Sequence, residues 1–185
     1  MERSELVNRV KTILNEAGED VTLSIADDVL SLTDYIERAL PDAVAVLSKE
    51  GLCINPQQVE SINDGKVALP DTFLSVVEVK LKGWRIALTK VEKKDSLAYR
   101  RAMNTHTAPT ESRPICYREG ADAIVCLPKG EIDVFLYNAM LEDTFNGDEV
   151  AANAVAYMAA SIVASIFGND AAATRLKTTA MEALQ

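Results

Sequence analysis

The sequence predicts an α+β protein: a helical bundle formed by N- and C-terminal helices, with a small antiparallel β sub-domain inserted between them. Three observations carry that expectation. Residues 1–58 repeat apolar side chains every three or four positions, as buried helix faces do. Residues 59–147 switch to alternation, punctuated by Gly, Pro and Asn. Residues 148–185 return to helical spacing and are rich in alanine, with twelve between Ala151 and Ala183. A chain of 185 residues that is 48% apolar and 25% charged can bury a real core, which excludes a disordered polymer.

The first helix is expected over Ser4–Ala17, where Leu6, Val7, Val10, Ile13, Leu14 and Ala17 share a face. Ser4 caps its start, and Gly18 supplies a left-handed stop. A longer helix is expected after Ser24, with Asp27 and Asp28 in its first turn and Gly51 at its end. Its stripe runs through Val29, Leu32, Ile36, Ala39, Leu40, Ala43, Val46 and Leu47. Pro41 either kinks this helix or opens the first turn of a new one, because it has no N–H to donate.

In the middle, Asn63-Asp64-Gly65 reads as a hairpin turn, since these residues tolerate positive φ. Leu74 and Val76, then Val79 and Leu81, alternate with Ser75, Glu78 and Lys80, the phase turning at Val77. Gly83 allows a tight reversal into Trp84–Leu88, and a short helix fits Asp95–Met103. The Thr- and Pro-rich stretch near 103–114 reads as an extended arm or loop. Further strands are expected at Ile115–Tyr117, Ala123–Leu127 and Ile132–Tyr137. Two terminal helices follow, broken at Gly168-Asn169, with Asn169 capping the second.

Charge is uneven along the chain. The total is −9, which argues against a protein whose main task is to neutralise nucleic-acid phosphates. Between Lys80 and Arg118, however, ten Lys and Arg face only Glu92, Asp95 and Glu111. That local +7 leaves −16 for the rest, a split suited to surfaces with different neighbours. It also admits a rival reading, a nucleic-acid-binding module that uses Lys90, Lys93, Lys94, Arg100 and Arg101 of the basic 80–118 segment. Tyr99 beside Arg100 and Arg101 is little of the stacking platform such a module needs.

Cys53, Cys116 and Cys126 form no CxxC pair and are too few for a disulfide framework, so reduced thiols are expected. Cys116 and Cys126 can face one another on neighbouring strands as buried thiols. No apolar run follows Met1–Glu5, so no secretory signal is expected. The uncharged run Val150–Gly168 has nearly the length of a membrane span, but its alanines and Asn153, Ser161 and Ser165 favour a buried helix.

Catalytic groups are sparse. His106 is the single histidine and lies in the Thr/Pro-rich stretch, without a second histidine to share a metal. The acidic pairs Asp27-Asp28, Glu142-Asp143 and Asp148-Glu149 have the residue types of a glycan hydrolase, although helix-start pairing with the dipole explains two of these pairs without chemistry. No GxGxxG or GxxxxGK[ST] loop occurs. No enzyme, cofactor or metal site is expected.

Three stretches together resemble the head-to-tail adaptor proteins of short-tailed phages, of the tail tubular protein A type, and most of all the collar ring proteins of crAss-like phages. One is Leu69-Pro70-Asp71-Thr72-Phe73-Leu74 running to Gly83-Trp84. Here Pro70 and Asp71 turn the chain and Phe73 is expected to plug the bundle. Another is the small-residue helix, break and final helix around Ala159–Asp170, and the third is the opening two-helix unit with Ala39–Ala43. The resemblance implies a structural virion protein of the head–tail neck, made in the host cytoplasm and not enzymatic. It implies a ring of twelve copies below the portal protein, in contact with neighbouring collar or tail proteins. DNA would pass through its channel without specific binding, and no membrane is involved. Candidate contacts to other copies or to the portal are Lys90, Lys93, Lys94, Arg100 and Arg101, with Thr105, His106, Thr107 and Pro109 on the arm.

Overall fold

A computed structural model describes residues 1–16, 31–49 and 52–185. The protein is α+β, with five helices and two small sheets among the described residues. The chain divides into two compact units, a helical one of residues 1–55 and 140–185 and a β unit of residues 56–139. The expected boundaries at 58/59 and 147/148 thus move to 55/56 and 139/140. Asn55 accounts for the shift on both sides. It is fully buried, its Nδ2 donates to the Met140 carbonyl at 3.3 Å, and its Oδ1 accepts from the Asn146 N–H at 2.8 Å. One amide side chain therefore fixes both connecting segments to the helical unit.

In the helical unit, α1 spans Arg3–Glu16 and buries Leu6, Val7, Val10 and Leu14 along one stripe. The expected stop at Gly18 lies outside the described residues, as do Ser24, Asp27, Asp28 and Gly51. Helix α2 spans Leu32–Ser48. Ser31 starts it with a capping box: its Oγ accepts from the Asp34 N–H, and Asp34 Oδ2 accepts from the Ser31 N–H at 2.8 Å. Pro41 sits well inside α2 rather than in a first turn. A proline there leaves the carbonyl four residues earlier, that of Glu37, without its helical donor. Arg3 of α1 fills the vacancy, its guanidinium donating to the Glu37 carbonyl at 2.7 Å.

Helix α4 (Glu149–Ile166) packs against α1, α2 and α5 (Asp170–Glu182). Asp148 caps α4 by accepting from the Ala151 N–H at 2.8 Å, and Asn169 caps α5 in the same way through Ala172. Gly168 takes φ +77° at the break, where a left-handed residue ends α4. By length and hydropathy α4 is apolar enough to cross a membrane, yet most of it is buried in the unit. Ala152, Ala154, Ala156, Ala159 and Ala160 have no exposed surface, so the alanine content serves close helix packing.

In the β unit, β3 (Phe73–Leu81) and β1 (Pro56–Gln58) flank β7 (Ile132–Ala139) in an antiparallel sheet. The ladder between β3 and β7 slips between Val76 and Glu78. That bulge is the structural form of the phase change at Val77, since one extra residue returns Val79 and Leu81 to the buried face. The second sheet runs β2 (Lys66–Ala68), β6 (Ala123–Leu127), β5 (Ile115–Glu119), β4 (Glu92–Lys93). It departs from the all-antiparallel expectation at its edge, where β4 pairs parallel to β5. One apolar cluster joins both sheets: Val67, Val76, Val79, Leu81, Trp84, Cys116, Ile124, Cys126 and Phe135.

Three further expectations change. The Asn63–Lys66 turn forms, with Asp64 at φ 50° and Gly65 at φ 78°, but Asn63 makes only a bridge to Lys66, and β2 finds its strand partner in β6. Trp84–Leu88 is not a strand. Only Leu88 bridges Val79, because Trp84 turns into the core to donate from Nε1 to the Pro128 carbonyl at 3.0 Å, and the Arg85 N–H goes to the Glu111 carbonyl. Phe73 does not plug the helices. It stacks within the β unit on Tyr137, ring centres 5.6 Å apart, with the Arg118 guanidinium over its ring.

Candidate interaction surface

The basic segment is built around α3, the six-residue helix Leu97–Ala102. Ser96 caps it by accepting from the Tyr99 N–H at 3.1 Å, and Tyr99 then meets Tyr117 of β5 edge-on at 4.7 Å. That ring pair fastens the helix to the sheet. Burial, first of all, raises the Tyr117 hydroxyl above its ordinary value. Helix α3 contacts β4, β5 and the short 3-10 turn Thr105–Thr107. Arg100 and Arg101 on α3, Lys93 on β4, and Thr105, His106 and Thr107 on the turn therefore belong to adjoining elements, all of them exposed.

Of the two readings of the 103–114 stretch, the structure has the loop and not the extended arm. Asn104 Oδ1 accepts from the His106 N–H at 3.0 Å, and the Thr107 hydroxyl donates to the Arg101 carbonyl, so the turn folds back on α3. Thr110 and Arg113 close a second turn. Between them Pro109 is half-buried, and the Glu111 carbonyl holds the Arg85 N–H at 2.8 Å.

Charge pairing divides the candidate cations. Lys90 binds Glu92 at 3.1 Å, and Lys94 lies 3.6 Å from Glu119, which also accepts from Lys66 at 2.8 Å. The Lys66 hydrogen bond, more than any other influence, draws Glu119 below the ordinary carboxylate value. Lys80 and Lys82 pair with Asp133 and Glu131. Among the described residues, Arg85, Lys93, Arg100, Arg101 and Arg113 make no ion pair. Counted over whole units, the β unit holds twelve bases against eleven acids, a net +1, and the helical unit seven against seventeen, a net −10. The +7 segment is thus largely balanced by the strands beside it.

One of the acidic pairs has a structural task. Asp148 caps α4, while Glu149 binds Arg9 at 2.7 Å and is pulled below its ordinary value mainly by that hydrogen bond. Arg9 also donates to Asn153 at 2.7 Å, spanning a groove of about 490 Å³ between α1 and α4 that Ile13 and Tyr157 help to line. Glu142 and Asp143 are exposed loop residues, and Asp27-Asp28 lies outside the described residues. Among the described residues no three His, Cys, Asp or Glu side chains gather as metal ligands would.

Sequence reasoning missed Arg85 and Arg113 as exposed cations beside the folded stretch; their spacing from Lys93 and Arg100 carried no periodic signal. Comparison with protein-family models and with curated proteins gives no match.

Proposed function

We propose that this protein is a structural component of a phage virion, a head-to-tail connector subunit that assembles as a ring below the portal and continues the DNA channel toward the tail. The observation that supports it best is the insertion architecture: both ends of the chain enter one helical unit, and a β unit is inserted between them. We read the helical unit as a four-helix bundle centred on α4, the arrangement that the resemblance to collar ring proteins implies. Its role is mechanical rather than catalytic. Of the acidic pairs, Asp148 and Glu149 are occupied in capping and ion pairing. Ring contacts join unlike faces of successive copies, and the exposed cations of α3 and β4 on one unit and the acidic surplus of the other supply unlike charges for them. An acidic channel wall repels DNA and lets it slide.

The test is imaging of the purified protein mixed with the portal of the same phage. Added ring density on the tail side of the portal is the expected result; no co-migration and no added density overturns the proposal. A DNA mobility assay across salt concentrations addresses the rival module: tight, salt-sensitive DNA binding by the isolated chain would favour that reading.

A further inference from the structure

Among the described residues, Cys116 of β5 and Cys126 of β6 are nucleophilic side chains held in mutual contact. They are register partners, both free thiols, both without exposed surface, with Sγ atoms 2.8 Å apart. The backbone shows which kind of pair they form. The Cys126 N–H donates to the Gly65 carbonyl at 2.8 Å, toward β2 and away from β5. In an antiparallel ladder a residue's N–H and C=O point to the same side, so Cys116 and Cys126 face each other as a non-hydrogen-bonded pair. In such pairs the Cα atoms lie about 4.5 Å apart and the side chains approach most closely. That separation falls within the roughly 4.4–6.8 Å that a disulfide spans, so neither strand has to move. The surrounding side chains are apolar, among them Val67, Val79, Ile124 and Phe135. They supply no base, cation or further ligand for nucleophilic or metal chemistry.

We propose that Cys116 and Cys126 are a latent cross-strand dithiol, oxidised to an intramolecular disulfide by a low-molecular-weight disulfide when the protein leaves a reducing compartment. The site goes beyond the connector reading and does not depend on it. Oxidation needs local opening, because the hydrogen bond to Cys126 and then burial hold the Cys116 thiol far above the usual range. Cys116 lies nearer the open edge, since β4 pairs only with Tyr117 and Arg118. On opening, Cys116 loses its proton and attacks one sulfur of the reagent, forming a mixed disulfide and releasing one thiolate. Cys126 then loses its proton and attacks the Cys116 sulfur, closing the protein disulfide and releasing the second thiolate. Two protons pass from the protein thiols to the two released thiolates, and two electrons pass from protein to reagent. The product staples β5 to β6 inside the core.

The experiment uses the full chain with Cys53→Ser, which removes the exposed thiol, treated with oxidised glutathione. Both remaining thiols should disappear together, with a mass loss of about 2 Da and a cross-linked Cys116–Cys126 peptide. The unfolding midpoint should rise by about 5 °C or more and fall back on addition of dithiothreitol. In a Cys126→Ala variant, glutathione should instead remain attached to Cys116. A stable glutathione adduct in the Cys53→Ser protein overturns the proposal, as does reaction only where the whole chain is unfolded. If Cys53→Ser fails to fold, peptide mapping of the wild type reads the same result: an adduct on Cys53 and a cross-link between the other two.

Discussion

Pro41 removes an N–H from α2, and Arg3 restores one from α1. The two residues are therefore energetically coupled although 38 positions separate them in sequence. Arg3→Ala should cost about 1 kcal/mol, because the Glu37 carbonyl loses its charged donor while staying within reach of water. In a Pro41→Ala background a helical N–H can serve that carbonyl, and the cost of Arg3→Ala should shrink. A double-mutant cycle by denaturant unfolding measures the difference, and strict additivity would show that Arg3 does not stand in for the donor that Pro41 removes. Gly147 makes a second prediction at this scale. A Cβ there would fall on the Ile54 carbonyl oxygen and the Phe145 ring, both in the packed interior. Gly147→Ala should destabilise the chain by about 3 kcal/mol, seen as a lowered denaturation midpoint. Neither site was legible from sequence. Pro41 announced a local disturbance, but the partner that repairs it is brought in by tertiary packing, and nothing around Gly147 marked its crowding.

Elements with a long repeat were read most easily. The stripe of α1, the break and cap at Gly168-Asn169, and the phase change at Val77 all encode themselves locally, because periodicity and cap chemistry act over a few residues. Strands β1, β2 and β4 span only two or three residues, too few for alternation to register, and their existence depends on partners far along the chain. The candidate surface divides in the same way. Lys93, Arg100 and Arg101 stand exposed as their sequence suggests, but the pairing of Lys94 with Glu119 depends on strand register. The cap of α2 yields a pH prediction. Its hydrogen bonds with Ser31 hold the Asp34 carboxyl below its ordinary value. A depressed carboxylate contributes stability that is present above the ordinary value and lost as pH falls through the folded one. Asp34→Asn should therefore be less stable than wild type at neutral pH, with the gap closing in acid below that value. A gap that stays constant down to strongly acidic pH would mean that the charge is irrelevant to the cap.

At the scale of the molecule, the charge split follows the units rather than the sequence segment. With the helical unit at −10 and the β unit nearly neutral, the proposed attraction between copies, or to a portal, draws on the cations without an ion pair, Arg85, Lys93, Arg100, Arg101 and Arg113. The isolated chain should therefore elute as a monomer at low micromolar concentration, and a stable ring in isolation would count against this account. On the connector proposal, Arg100→Glu with Arg101→Glu should weaken portal binding more at low salt than at high salt. Equal losses at both salt concentrations would assign the contact to packing instead of charge.

The position of α4 also sets an order of events during synthesis. The apolar stripes of α1 and α2 close against a helix that begins about 100 residues after α2 ends. At roughly 5–20 residues per second the ribosome takes several seconds to cover that distance. During that interval the β unit is translated in full, while the first two helices still lack their central partner. Nascent chains stalled before residue 149 should carry these stripes uncovered and rely on chaperones to remain in solution.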